Sequence, residues 1–479
     1  MMEYVYIVMA VAVVGCCMRS PALGIAALGF ILPVSKRLPS LPIPLLNTQN
    51  VIVLAALIAL LMRSKQGGAA GAKVRYVLPM VAFMLLVTLS YANTMLVFEP
   101  VRFAFAFDPY GITISFKNLL FCMLIYAIGS LAATTREEIE MVMHGLMAGV
   151  AFESLFICAE VVMRGPARAN GHLYEGNNAG AFLAGGFALS LSLYLVRGWK
   201  QRLGKLGLGA TVATAIGLVF TMSRGNWIAG ILAGVFVTLM KDRRMLILLV
   251  IGIMLYPLWL PQKALDRIDE SFMTSDRESW RFRNKEDTDE VAAMAGLQES
   301  LIGGVSDTDG SEVGKARLDS SSQVRLFVWQ AGLKMIKDYP FGVGYGVFPF
   351  YLHYYSDVIK FRAAHNTYLQ LAAETGIAGL LSFLFFLGCI GVQAFLLYLR
   401  SDDPLFQWVG LAAMGTLLTM LIAALFYNFF FIMEVNGQQW LLLGIAAQAG
   451  RSVRTAPKAA EPGAEGAQTE PVPLYRMVT

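Results

Sequence analysis

Apolar stretches of roughly membrane-crossing length alternate along this chain with short polar clusters, the pattern of helices that span a bilayer. Crossings are predicted at 4–18, 49–62, 76–97, 116–133, 139–163, 177–196, 206–222, 227–240, 245–260, 376–399, 405–432 and 438–448. The stretch 21–34 is short and hemmed by prolines, so it is either a thirteenth crossing or a helix that does not span. One polar block, from Pro261 to Arg362, interrupts the series. The expected fold is an all-α polytopic membrane protein with about 12 transmembrane helices and one large loop containing amphipathic helices. Its parts are N-terminal membrane helices over 1–260, the large loop over 261–375, C-terminal membrane helices over 376–450 and a disordered cytoplasmic tail over 451–479.

The large loop divides in two. Residues 266–319 are acidic, bear Gly and Ser and lack apolar periodicity, which reads as a mobile segment. The stretch 320–366 reads as ordered and site-bearing. Val324, Phe327, Val328, Ala331, Met335 and Ile336 recur there at helical spacing, with Ser320 to Ser322 as caps and Asp338-Tyr339-Pro340 as the stop. The spacing predicts an amphipathic helix that lies against the membrane domain and carries Arg325.

Composition agrees with this picture. The chain is 57% hydrophobic and 15% charged, with a mean hydropathy of +0.59, where a soluble domain has about 25% charged residues. The net charge of +5 does not imply a nucleic-acid partner, because the basic residues flank helices and read as membrane anchors. All five cysteines fall in apolar segments, so no disulfide framework or thiolate metal site is expected. The first 19 residues, with Glu3 and no small-residue cleavage site, read as a retained helix.

Basic loops mark the cytoplasmic side. Three clusters qualify: Arg63, Lys65, Lys73 and Arg75; Arg197, Lys200, Arg202 and Lys205; Lys241, Arg243 and Arg244. Counting crossings puts all three on one side, together with Arg451 and Arg454. The other, periplasmic side then holds Asp108, the loop 164–176, the turn Ser223-Arg224-Gly225-Asn226 and the whole of 261–375. Arg224 is the exception to positive-inside placement, with no acid next to it in the sequence. Its plainer reading is a snorkelling Arg at a helix end; its sharper reading is a phosphate-binding guanidinium.

The turn Phe341-Gly342-Val343-Gly344-Tyr345-Gly346 is superficially like a nucleotide fingerprint, but no strand precedes it and no Gly-Lys-Ser/Thr follows. Glycines there allow close backbone approach beside a pocket. Beyond an aromatic run containing His353 comes His365-Asn366, then nine residues, then Gly376-x-x-Gly379. That pattern, together with Ser223-Arg224-Gly225 and the Arg325 to Gly346 stretch, resembles the O-antigen ligase and O-antigen polymerase-like family of the bacterial inner membrane. The resemblance covers roughly Arg168 to Gly379.

The resemblance implies a glycosyltransferase that moves a glycan from an undecaprenyl-diphosphate carrier on the periplasmic face, with neither metal nor cofactor. It implies as acceptor the lipid A core, a further glycan or a protein, in a setting of membrane lipid. Breaking a sugar–diphosphate bond develops negative charge on the leaving phosphate, which fixed cations stabilise. Arg224 is the first candidate and Arg325 the second; the plainer reading of Arg325 is a solvated helix face. His365 suits a general base for the acceptor hydroxyl, kept neutral by its place at a helix opening, or it caps that helix. Asn366 and Tyr345 fall within the matched blocks as substrate-binding candidates. Arg168 and His172 are candidates for sugar or carrier contact, with a plain polar loop as the alternative. Glu374 is read as orienting an Arg or capping a turn, and with Glu153 and Glu160 it should face the protein interior. His144 should be a packed helix contact. No metal-ligand spacing appears. The competing class is a lipid-linked-glycan transporter, which should carry Arg or Lys well inside several helices. Ligase and polymerase are not separated by these motifs, and the acidic insertion could also bind a polysaccharide-assembly partner.

Overall fold

A bilayer offers no water to backbone N–H and C=O groups, so a chain this apolar can satisfy them only within helices or closed barrels. The computed structural model describes residues 2–38, 47–65, 73–97, 108–132, 134–165, 168–269, 320–356 and 362–455, and among them every regular element is helical. In chain order these are α1 (Met2–Arg19), α2 (Pro21–Ile31), a 3₁₀ segment (Leu32–Arg37), α3 (Thr48–Lys65), α4 (Val77–Leu96), α5 (Pro109–Ala132) and α6 (Arg136–Arg164). A 3₁₀ turn (Gly171–Leu173) precedes α7 (Gly176–Arg197), α8 (Arg202–Phe220), α9 (Arg224–Lys241), α10 (Arg243–Met254), α11 (Tyr256–Trp259) and α12 (Gln262–Asp269). Then follow α13 (Ser320–Asp338), α14 (Phe348–Tyr351), a 3₁₀ turn (Leu352–Tyr354), α15 (Thr367–Arg400), α16 (Pro404–Ala423) and α17 (Met433–Thr455). The insertion from residue 270 to 319 and the tail from 456 lie outside the described residues.

Among the described residues, seven helices are long and apolar enough to cross a membrane: α4, α5, α6, α7, α8, α15 and α16. Their burial separates core from perimeter. α7 is buried along 83% of its apolar window and α16 along 72%, against 17% for α4. Small residues suit α7 to its central place, because Gly180 and Gly185 leave room for the side chains of Asn226 and Gln439 from neighbouring helices. α5 and α17 meet just as closely: a Cβ on Gly129 would stand 2.5 Å from the Leu441 carbonyl oxygen.

Two predicted crossings are shorter than expected. The stretch 245–260 breaks at Leu255, just before Tyr256-Pro257, leaving α10 with no buried residue. The stretch 405–432 is helical only to Ala423, and a non-helical turn carrying Tyr427 and Asn428 precedes α17. The segment 21–34 forms α2 and its 3₁₀ extension, which runs alongside α6 and brings Arg37 to the carbonyl of Gly171 at 3.5 Å. His144 is exposed, its ring 6.4 Å from Trp408, so it is not the packed residue expected.

Contacts sort the loops onto two ends. At one end lie Arg63 with Glu138 (2.5 Å), Arg136 with Asp403 (2.7 Å), Lys241 with Gln407 (2.8 Å) and the Arg75 carbonyl with the Tyr126 hydroxyl (2.9 Å). At the other, Ala169 donates to the Phe220 carbonyl (2.9 Å), Asn226 to the Asn177 carbonyl (2.8 Å) and Thr367 to the Ala424 carbonyl (2.8 Å). Basic loops and candidate site residues thus occupy opposite ends.

α13 has the bounds its apolar spacing predicts. It buries Val328, Ala331 and Met335 and half-buries Val324, Phe327 and Ile336 against the rest of the bundle. Val328 and Met335, fully buried, each contribute on the order of 1.5–3 kcal/mol, which favours the docked helix and the arginine it carries.

Candidate functional site

The turn that opens α9 is locked by its last residues. Asn226 donates from Nδ2 to the Asn177 carbonyl and, at 2.9 Å, to the Ser223 hydroxyl; Trp227 donates from Nε1 to the Leu218 carbonyl at 2.8 Å. Gly225 lies against Phe426, whose ring a Cβ would meet at 2.9 Å. Arg224 is half-buried as the first residue of the helix. The turn therefore joins the N-terminus of α9 to that of α7 on one side and to the 424–427 turn on the other.

That second turn also receives the N-terminus of α15. Thr367 donates its backbone N–H to the Ala424 carbonyl and its hydroxyl to the Tyr427 carbonyl (2.8 Å). Asn366 caps α15, its Oδ1 accepting from the N–H groups of Tyr368 and Leu369 at 3.0 Å each. This capping commits the side-chain oxygen that sequence reasoning offered to substrate.

His365 directly precedes the cap in the left-handed region, at φ 47°, and the residue is partly covered by protein while still open to solvent. Its ring stands edge-on to Tyr427 with centroids 5.9 Å apart. On the same Tyr427 ring lies Arg325, its guanidinium carbon 5.2 Å from the centroid and one NH2 3.4 Å from the hydroxyl. Trp329, one turn along α13, donates from Nε1 to the Ala364 carbonyl at 2.9 Å and fixes the helix beside His365. Displacement of solvent by surrounding protein holds the His365 imidazole below its ordinary pKa, and Arg325 and Arg362 push the same way, while Glu175 opposes them. Arg325, His365 and the turn that carries Arg224 are thereby brought together around Phe426 and Tyr427.

The remaining candidates lie elsewhere. Arg168 donates from Nε to the Thr221 carbonyl (3.1 Å) and from NH2 to Asn177 Oδ1 (2.7 Å), tying the start of α7 to the end of α8. His172 is interior rather than on a loop surface, with 2% of its area exposed. Its Nδ1 is 2.6 Å from Glu153 Oε2, its backbone N–H donates to Glu153 Oε1 at 2.8 Å, and its ring lies 3.9 Å from that of Phe156. Tyr345 is buried against Phe116, and burial drives its phenol pKa upward. Glu374 is buried too; its Oε1 accepts from Gln370 Nε2 (2.9 Å) and from the Phe348 N–H (3.4 Å), so it braces the glycine turn and touches no arginine in that network.

Glu153 and Glu160 are interior, as intramembrane acids should be. His353 joins the exposed aromatic group, 3.9 Å from the Tyr354 ring. Among the described residues, no three His, Cys, Asp or Glu side chains gather to hold a metal ion.

Sequence reasoning missed Tyr427, Asn428, Gln370 and Glu175. Tyr427 and Asn428 were absorbed into an apolar run, although an Asn that deep in a crossing is itself a signal of broken helix. Asn428 donates to Gln370 Oε1 at 2.5 Å and continues the chain of hydrogen bonds to Glu374.

A helical bundle with several apolar helices of spanning length and a polar, cation-bearing cluster at one end is a multi-pass membrane protein. Residues 209–384 match the family model Wzy_C, O-Antigen ligase, so an O-antigen ligase-like family is supported for the chain. The match runs from α8 into α15 and includes Arg224, Arg325 and His365. No curated protein matches the chain.

Proposed function

We propose that this protein transfers a glycan from an undecaprenyl-diphosphate carrier to an acceptor hydroxyl at the periplasmic face of the bacterial inner membrane. The meeting of Arg325 and His365 on the Tyr427 ring, beside the α9 turn opened by Arg224, carries the reading. The acceptor oxygen attacks the anomeric carbon, the bond from that carbon to phosphate oxygen breaks, and the electron pair departs on the diphosphate. His365 takes the hydroxyl proton; its lowered pKa keeps it unprotonated and able to do so. Arg224 and Arg325 offset the departing charge through paired N–H donors. The N-termini of α7 and α9, joined through Asn226 and Asn177, add positive potential to the same region.

The periplasmic placement is supported by the three basic loops at the opposite end. A transporter is disfavoured because, among the described residues, the buried polar side chains include no Arg or Lys. The deciding experiment incubates the purified full chain with an undecaprenyl-diphosphate-linked repeat unit, with and without lipid A core. Product that requires the core identifies a ligase; lengthening without it identifies a polymerase of O-antigen or exopolysaccharide repeats. Movement of the intact donor across vesicles, with no new glycosidic bond under either condition, overturns the reading.

A further inference from the structure

The chain passes from α8 to α9 through a buried residue in a conformation that L side chains rarely adopt. Met222 stands at φ 52° with 7% of its surface exposed, directly before the Ser223-Arg224 pair that opens α9. A left-handed backbone at a non-glycine residue persists only where its surroundings over-determine it. The bend at Met222 sets the direction in which the next two residues leave α8, so whatever holds the bend also aims Arg224.

The hold comes from the loop before α7. Ala169 donates its N–H to the Phe220 carbonyl at 2.9 Å, and Arg168 donates from Nε to the Thr221 carbonyl at 3.1 Å, so the two carbonyls ahead of Met222 are both engaged from outside the helix. A second donor of the same guanidinium, NH2, reaches Asn177 Oδ1 at 2.7 Å, and the Asn177 carbonyl accepts from Asn226 Nδ2 at 2.8 Å, two residues past Arg224. Arg168 thus grips the chain ahead of Arg224 directly and the chain behind it through Asn177. A planar guanidinium holds two acceptors in one fixed geometry, which an ammonium on a flexible stem does not. The space around the bond is shaped to it: a Cβ on Gly176 would collide with Arg168 Nε and stand 2.7 Å from the Thr221 carbonyl oxygen. The segment that carries Arg168 is itself anchored inward, where buried Glu160 accepts the N–H groups of Asn170 (3.3 Å) and Gly171 (2.9 Å).

We propose that Arg168 is a positioning residue for glycan transfer: it holds the turn from Met222 to Asn226 so that Arg224 faces the carrier's diphosphate, and it does not itself touch substrate. This rests on the reading of Arg224 as a cation for that diphosphate.

The test measures binding of undecaprenyl diphosphate, the leaving product of the proposed reaction, to the purified full-length chain, alongside transfer from undecaprenyl-diphosphate-linked repeat unit to lipid A core. Wild type is compared with R168A, R168K, G176A, R224A and the doubles R168A/R224A and G176A/R224A. A cation displaced by about 1 Å loses much of its effect, so R168A and G176A should each weaken binding and lower kcat/KM by about tenfold or more, and R168K, which keeps one donor, by less. In the R224A background the same changes should cost under about twofold, because the group they aim is gone. G176A displaces the bond while leaving the charge of Arg168 in place, and it carries the cycle if R168A does not fold. Wild-type binding and transfer in folded R168A or G176A overturns the proposal. So does a loss as large without Arg224 as with it, which is what a direct substrate contact or a merely structural role would give. R224A separates the two readings. Wild-type behaviour in R224A removes the diphosphate assignment of Arg224 and the role of Arg168 with it; a weakened R224A with additive losses in the doubles removes only the role of Arg168.

Discussion

Tyr427 is the residue on which the proposed base and one proposed cation both rest, so its removal should be costly without touching either. Tyr427→Ala deletes the cation–π contact to Arg325, 5.2 Å from the ring centroid, which contributes about 0.5–1 kcal/mol at an exposed position. It also deletes the edge-on contact with His365, 5.9 Å between centroids, which contributes about 0.5–1.5 kcal/mol. The sum, about 1–2.5 kcal/mol, is spent holding two groups in register through the transition state, so its loss appears as a fall in transfer rate of roughly fivefold to seventyfold. Tyr427→Phe keeps the ring and loses only the 3.4 Å bond from Arg325, too long to contribute much, and should stay within about twofold of wild type. The assay is initial-rate glycan transfer by purified protein at matched concentration. An Ala variant at the wild-type rate, or a Phe variant as slow as Ala, refutes the reasoning.

Further outcomes follow from the same structure. His365→Ala should lower transfer by about 10²–10⁴-fold while the protein still inserts at wild-type levels, and Arg224→Ala should likewise cripple transfer; gel-resolved product formation checks both. The acid limb of kcat/KM should lie below the ordinary His value, because the His365 pKa is lowered and the base form alone is active. Arg325→Gln removes a positive neighbour, so that limb should rise in pH even as the rate falls, and a pH–rate series decides it. Gly376→Ala places a Cβ at φ 76° and 2.7 Å from the Phe341 carbonyl carbon, which should cost on the order of 1–3 kcal/mol; Gly388→Ala, with no atom within 4 Å of its Cβ, should leave the melting temperature in detergent near wild type.

Much of the scaffold was legible because its signals are local. The amphipathic period of 320–338 announces itself within a few residues, and so does the helix opening after His365, although Asn366 and not His365 proves to be its cap. The site was legible only in part, because its assembly depends on contacts between distant segments: Arg325 meets Tyr427 across 102 positions, and nothing near either residue signals the pairing. His172 misled for a related reason. A histidine in a loop between helices is usually wet, and only the buried Glu153, 19 residues earlier on α6, draws it inside. The end of α16 was hidden by hydropathy itself, since 424–432 is almost as apolar as the helix before it while its backbone serves α15 instead.

The break in α15 at Gly376 frees backbone groups that a continuous helix would pair, and the glycine turn takes them up. Val343 donates to the Ala373 carbonyl (2.9 Å), Gly344 to that of Glu374 (3.0 Å), and Ile377 to that of Pro340 (3.1 Å). Laced in this way, loop and helix should behave as one cooperative unit in hydrogen exchange. The amides of Val343 and Gly344, though they belong to a turn, should exchange as slowly as those of the helix they are laced to, and should open only when it does.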